Sequence, residues 1–139
     1  MREILFKAKR IDNDEWVEGC CTVCNGKTFI GIDVSIYSDI FEVFCTPIIR
    51  WFKVDPETLC QFTWLYDKNG KRIWENDIIQ YGTVAAVVRF GEYGNGNLGF
   101  YVDFPEETNY RKDFSYWSKK VVVVGNAFDN PELLQEVPE

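Results

Sequence analysis

Residues 54–79 read VDPETLCQFTWLYDKNGKRIWENDII, and this stretch decides the fold. Asp55-Pro56-Glu57 has the form of a helix start. Proline at the first helical position forfeits no needed N–H, and the aspartate oxygen can accept from the free amides that follow. One or two helical turns are expected there. Residues 61–66 alternate polar and aromatic side chains as a half-buried strand does, and Asp67-Lys68-Asn69-Gly70 supplies residues that tolerate left-handed backbone in a tight reversal. A second strand over 71–74, a turn at Glu75-Asn76-Asp77 and a third strand starting at Ile78-Ile79-Gln80-Tyr81 follow. The chain thus reverses about every eight to twelve residues, the rhythm of a small barrel or sandwich.

Working outward, residues 3–10 alternate with Ile4, Phe6 and Ala8 on one side, which predicts a strand followed by a turn at Asp12-Asn13-Asp14. Residues 15–24 and 27–34 predict a hairpin whose reversal, Asn25-Gly26, is the strongest two-residue hairpin signal. After a polar break over 35–39, residues 40–45 and 48–54 read as two more strands separated by Thr46-Pro47. On the other side, 83–90 is rich in β-branched residues and predicts a central strand, with 100–104 its partner across a glycine loop. Pro105 ends that strand. Residues 106–116 read as polar and irregular, and Val121-Val122-Val123-Val124 as a run apolar on both faces that belongs deep in the core. Asn130-Pro131-Glu132-Leu133-Leu134 reads as a short helix laying its two leucines over one barrel end. Residues 135–139 are acidic and read as frayed. The expected fold is mostly β, α+β at the margin, with a small amino-terminal β subdomain (1–54) packed on a carboxy-terminal domain (55–139).

Three pieces of this chain resemble one family. The run ETLCQFTWLYDKNGKRIWENDII resembles a pattern of E-T-hydrophobic-G-Q-aromatic-T-G-hydrophobic, then D-K-N-G, then E-G-D-I. Phe6-Lys7-Ala8-Lys9-Arg10 with Asn13-Asp14-Glu15-Trp16-Val17-Glu18-Gly19 resembles its opening F-R-G-K-R and N-G-E-W-V-x-G. Gly125-Asn126-Ala127-Phe128-Asp129-Asn130-Pro131-Glu132-Leu133-Leu134 resembles its closing G-N-hydrophobic-aromatic-D-N-P-E-L-L. The pattern is that of the YopX-like family, small proteins carried by phages and prophages, and the resemblance spans nearly the whole chain. Three of its glycines are replaced, by Cys60, Trp64 and Asn76, of which asparagine best tolerates a positive φ. The resemblance implies a carboxy-terminal SH3-like β-barrel, a phage or prophage setting and a tendency to self-associate. It implies no assigned activity.

Size and charge bound the partners. The 139 residues, 46% hydrophobic and 17% aromatic, suffice for one ordinary core or two small ones. No run approaches the roughly 18 apolar residues of a membrane span, and charges interrupt the first residues after Met1, so a host-cell cytoplasmic location is expected. A net charge of −7 gives an averaged field that repels phosphate backbones and disfavours nucleic acid as a partner. The basic residues Lys7, Lys9 and Arg10, then Lys68, Lys71 and Arg72, then Arg111 and Lys112, stand beside acids and read as solvated surface.

Five cysteines, at 20, 21, 24, 45 and 60, include the zinc-knuckle spacing Cys21-Thr22-Val23-Cys24. A structural site needs four ligands. There is no histidine and no second close pair, so the cysteines read as small apolar strand residues with reduced thiols, and no metal or other cofactor is expected. Gly94-Asn95-Gly96-Asn97-Leu98-Gly99 is a literal G-x-G-x-x-G, but a strand follows it rather than the helix whose amides would hold a pyrophosphate. It reads as a hairpin loop. Without histidine the commonest general base is absent, and Asp55, Asp67, Asp77 and Asp129 fall at turns or helix starts, where carboxylates bond local amides. No enzyme activity is expected.

Aromatics are the surplus: Trp16, Trp51, Trp64, Trp74 and Trp117, with eleven Phe and seven Tyr. Trp64, standing where the pattern has glycine, is expected on a turn and projecting outward, and Trp64, Trp74 and Trp117 are the candidate interface residues. The functional expectation is a non-enzymatic binding or assembly module that forms a homo-oligomer or binds a host or phage protein. The alternatives are a small barrel binding nucleic acid on aromatic platforms, and an acidic chain imitating phosphates to block a host nucleic-acid enzyme.

Overall fold

The computed structural model describes residues 4–33 and 49–134. The expected strand over 40–45, the polar break before it, Thr46-Pro47, Cys45 and the acidic tail lie outside the described residues. The chain divides into two compact units, Met1–Gln61 and Phe62–Glu139. It is mostly β, and among the described residues the strand pairings are antiparallel and form two sheets.

In the first unit, β1 (Phe6–Lys9), β2 (Trp16–Cys24), β3 (Lys27–Asp33) and β4 (Ile49–Val54) lie in the order β4-β3-β2-β1. The β2–β3 hairpin turns on Asn25 and Gly26 at φ 53° and 74°, both positive, as a two-residue turn matching strand twist demands. Its core is Ala8, Ile30 and Val54, with Phe6, Val17, Cys21 and Leu59 against them. Alternation along β1 and β3 puts these residues on one face. The expected helix start is a single 3-10 turn, Pro56–Thr58, capped by Asp55 Oδ1 accepting from the Glu57 amide at 3.0 Å. Thr58 Oγ1 accepts from the Lys9 amide at 2.8 Å and donates to the Asp55 carbonyl at 2.7 Å, which fastens the turn to β1.

The strand β5 (Cys60–Tyr66) starts beside β1, pairing Cys60 with Lys7 and Gln61 with Phe6, and continues into the second unit. There it pairs with β6 (Arg72–Trp74) through Phe62–Trp74 and Tyr66–Arg72, and the register shifts between these two pairs. The shift is a β-bulge at Trp64, which holds φ 64°. The Thr63 hydroxyl stitches it, donating to the Ile73 carbonyl at 2.6 Å and accepting from the Leu65 amide at 3.2 Å. The glycine-replacing tryptophan therefore does sit at left-handed backbone, but in a bulged strand rather than on a connecting turn. Asn76, the second replacement, holds φ 70° in the next turn.

The rest of the second unit comprises β7 (Asp77–Tyr81), β8 (Val84–Tyr93), β9 (Asn97–Asp103), the one-turn helix α1 (Phe114–Trp117) and β10 (Val122–Asn126). The sheet order is β10-β7-β8-β9. Its core joins Ile73, Ile79, Ala86, Val88, Val102 and Phe104 to Phe114, Trp117 and Val121. The glycine-rich 94–96 segment is the β8–β9 hairpin loop.

Four expectations change. The barrel is not closed: among the described residues, no ladder joins β10 to β9 or either of them to β5 and β6. Loops cover the sheet's two edges instead. At β10 the Lys68 amide donates to the Val121 carbonyl at 3.1 Å and Asp67 Oδ2 accepts from the Val123 amide at 3.0 Å. At β9 the Val102 amide donates to the Lys112 carbonyl at 2.9 Å, with Tyr101 bridged to Asp113. These contacts satisfy, at Val121, Val123 and Val102, outer backbone groups that a barrel would satisfy by closure. Second, the supposedly irregular 106–116 region carries α1, whose Phe114 and Trp117 are core residues. A helix of one turn is too short to show periodicity. Third, only Val121 and Val123 of the valine run are buried, because β10 is an edge strand with one face outward. Fourth, Pro131–Leu134 is a 3-10 turn with both leucines exposed.

Candidate functional site

The three tryptophans expected at an interface lie mostly inside. Trp74 and Trp117 are 4% and 5% exposed. Trp117 donates its indole N–H to the Arg111 carbonyl at 2.8 Å, and rings of Tyr81, Phe104, Tyr110 and Tyr116 surround it at centroid distances of 4.9 to 5.4 Å. Trp64 packs on Phe62 at 5.0 Å, and its Nε1 is enclosed with no hydrogen-bond partner. The rest of the indole is half-buried. The side chain at a bulge is re-aimed by the local kink, and here the kink turns the indole onto the neighbouring ring.

The exposed apolar surface lies elsewhere. On β8 and β9, Val88 pairs with Val102, Phe90 with Phe100 and Glu92 with Leu98. Because side chains alternate between faces, Val88, Phe90 and Glu92 share a face with Val102, Phe100 and Leu98. Val88 and Val102 are fully buried, whereas Phe90 is 50% and Leu98 75% exposed. β7 ends at the Ile78–Val87 pair, and beyond it the same face runs on to the exposed Phe90 and Leu98, with Phe100 half-buried against the core. Phe90 and Phe100 meet edge to face at 5.0 Å. The sequence carried the strand in the β-branched run over 83–90, but not the point at which its burial stops.

The carboxylates singled out in the sequence all hold backbone or side-chain amides. Asp67, 4% exposed, is the most connected: Oδ1 accepts from the Asn69 and Lys71 amides, both at 2.9 Å, and Oδ2 from Val123. Burial pushes its pKa up, but the three amides and the nearby Lys71 charge outweigh that, and the carboxyl lies below its ordinary range. Asp77 Oδ2 accepts from the Trp74 amide at 2.9 Å, closing the turn through Asn76. That turn is pinned twice, the Asn76 amide donating to the Val88 carbonyl at 2.7 Å and its carbonyl accepting from Ala127 at 2.8 Å. Asp129 Oδ2 accepts from the Asn126 side-chain amide at 3.1 Å, while Asn126 Oδ1 takes the Phe128 and Asp129 amides. These are turn-forming carboxylates, each placed by the local chain.

The basic residues divide by partner. Lys7 and Lys9 lie over the Trp16 ring at 4.8 and 5.5 Å. Arg10 grips Asp12 through Nε at 2.9 Å and Nη2 at 2.6 Å, which lowers the Asp12 pKa. Arg72 lies over Phe62 at 5.2 Å. Arg111 pairs with Asp113 and stacks on Tyr116, while Lys120 sits 3.5 Å from the Tyr116 centroid. The hydrogen bond from Lys120 lowers the Tyr116 pKa. Among the described residues no group of three Cys, Asp or Glu side chains is placed to hold a metal ion; Cys20 and Cys24 are exposed and Cys60 is buried.

No curated protein matches the chain. The family model described as YopX protein matches residues 3–135, a span that includes the capped turn at Asp55, the Thr63–Trp64 bulge, the Asp67 turn, the Asn76 turn and the Asn126–Asn130 closure. The chain belongs to the YopX family.

Proposed function

We propose that the chain is a non-enzymatic binding and assembly module that self-associates through the uncovered end of the β8–β9 face. The observation that carries the reading is the apolar continuation Phe90, Phe100 and Leu98 beyond the point where β7 stops. The exposed Phe90 and Leu98 favour face-to-face contact, and such a strip is self-complementary about a two-fold axis. The aspartates read as turn and helix-start residues are committed to amides, which supports a binding role. A phage or prophage setting, an SH3-like ancestry for the open second unit and action in the host cytoplasm belong to this proposal.

Sedimentation equilibrium tests it. The wild-type chain should associate at micromolar concentration, and Phe90→Ser with Leu98→Lys should give a monomer with unchanged circular dichroism. A wild-type chain monomeric at hundreds of micromolar, or a variant that associates as before, would refute it.

A further inference from the structure

The first unit carries a cleft of about 330 Å³ bordered by Arg10, Ile11, Asp12, Arg50, Trp51, Phe52 and Lys53. Two guanidinium groups converge on one ring: Arg10 Cζ lies 4.4 Å and Arg50 Cζ 5.0 Å from the Phe52 centroid. Phe52 is held by strand pairing to Ile30, a fully buried core residue, so the platform is anchored. Stacking occupies guanidinium faces and leaves their N–H edges for acceptors. Arg10 has already given Nε and Nη2 to Asp12, which fixes its plane and leaves Nη1. Arg50 and Lys53 have no carboxylate partner among the described residues. Like charges gathered at one ring repel, and an anion among them relieves the repulsion.

We infer that this cleft binds the phosphate of a nucleotide, either free or as a unit of a single strand, with Arg50 as its principal contact and the Trp51 ring as a stacking surface for the base. Trp51 is 46% exposed, and the side chain lies over Gly31, where the absence of a Cβ gives the indole its seat. Successive side chains on β4 alternate faces, so Arg50 and Trp51 flank the cleft from the two sides of this edge strand, and a ligand that engages both carries a phosphate and a base, which a bare anion or a peptide carboxylate does not. The net charge of −7 works against a long polyanion and favours a short ligand engaging this cleft alone. The inference is independent of self-association, since none of these residues belongs to β8 or β9.

Fluorescence anisotropy with a labelled oligothymidylate of about ten nucleotides at low salt, competed by AMP, inorganic phosphate and oligoglutamate, tests it. The oligonucleotide or AMP should bind, with inorganic phosphate and oligoglutamate at least tenfold weaker. AMP equal to the oligonucleotide identifies a free nucleotide as the ligand, whereas a much stronger oligonucleotide identifies a strand. Arg50→Glu should weaken binding at least tenfold, while Lys27→Glu, the same charge change at an exposed site outside the cleft, should leave it within twofold. The logarithmic salt slope should be about −1.4 to −2 if two or three phosphates are neutralised. Absence of binding, equal losses in the two variants, or equal affinity for oligoglutamate would overturn the inference.

Discussion

Asp67→Asn removes one charge and almost no volume at a position where one carboxylate ties the 67–71 turn to a strand far along the chain. Asp67 Oδ1 serves two amides and Oδ2 the amide of Val123, 56 residues away. An asparagine can keep its oxygen on the first two, but its NH2 then faces the Val123 N–H, donor against donor. A charge-assisted bond contributes about 1.5–3 kcal/mol and a buried unsatisfied amide costs about 1–3 kcal/mol, so the substitution should cost about 2–4 kcal/mol. The pH dependence follows from the lowered pKa. The unfolded carboxyl titrates near pH 3.9 and the folded one lower, so this stability is fully present above about pH 4–5 and is lost as pH falls through the folded value. Urea unfolding followed by tryptophan fluorescence at pH 7 and pH 3 reads both effects. The wild type should lose more between the two pH values than Asp67→Asn does. As a control, Asp103→Asn, in a half-exposed pair with Arg89, should cost no more than about 1 kcal/mol. If Asp67→Asn falls within about 0.5 kcal/mol of wild type at pH 7, or both chains show the same pH dependence, the bridging role assigned to Asp67 is wrong.

Two further perturbations probe the family signature. Trp64→Gly and Trp64→Ala both delete the ring, and differ by a Cβ at φ 64°. The glycine variant should therefore be the more stable by about 1 kcal/mol in thermal or urea unfolding, and equal stabilities would show that the bulge relaxes once the indole is gone. At Gly125 a Cβ would stand 2.8 Å from Asn130 Cγ and 2.9 Å from its Cβ, displacing the side chain that accepts from the Asn126 amide. Gly125→Ala should thus lower stability by about 1–3 kcal/mol, and much less when Asn130→Gly, which removes that Cβ as well, is already present; additive losses in that double-mutant cycle would refute the proposed clash.

Much of the chain was legible because its signals are local. Asn25-Gly26, Asp55-Pro56 and the 67–70 turn each specify their own backbone within four residues, and the structure shows the hairpin, cap and reversal they imply. The reading of Trp64 and Asn76 as substitutes for glycine was borne out by positive φ at both, since left-handed backbone is a property of single residues. Cys60, by contrast, replaces the third glycine in a buried strand position without positive φ.

What remained hidden depends on distance along the chain. That the Asp67 carboxylate reaches Val123, and so covers a sheet edge in place of barrel closure, follows from the meeting of segments 56 residues apart. The same holds for Arg10 reaching the Phe52 ring, where it joins Arg50 from the ring's own strand. Burial of Trp74 and Trp117 and exposure of Phe90 are also decided by which neighbours end where, because an aromatic side chain suits a core and a surface alike. The sequence by itself therefore determined the turns, the strands and the family. Only the tertiary structure decided which rings are core, which edges are closed and which charges converge, because those depend on pairings that no local window contains.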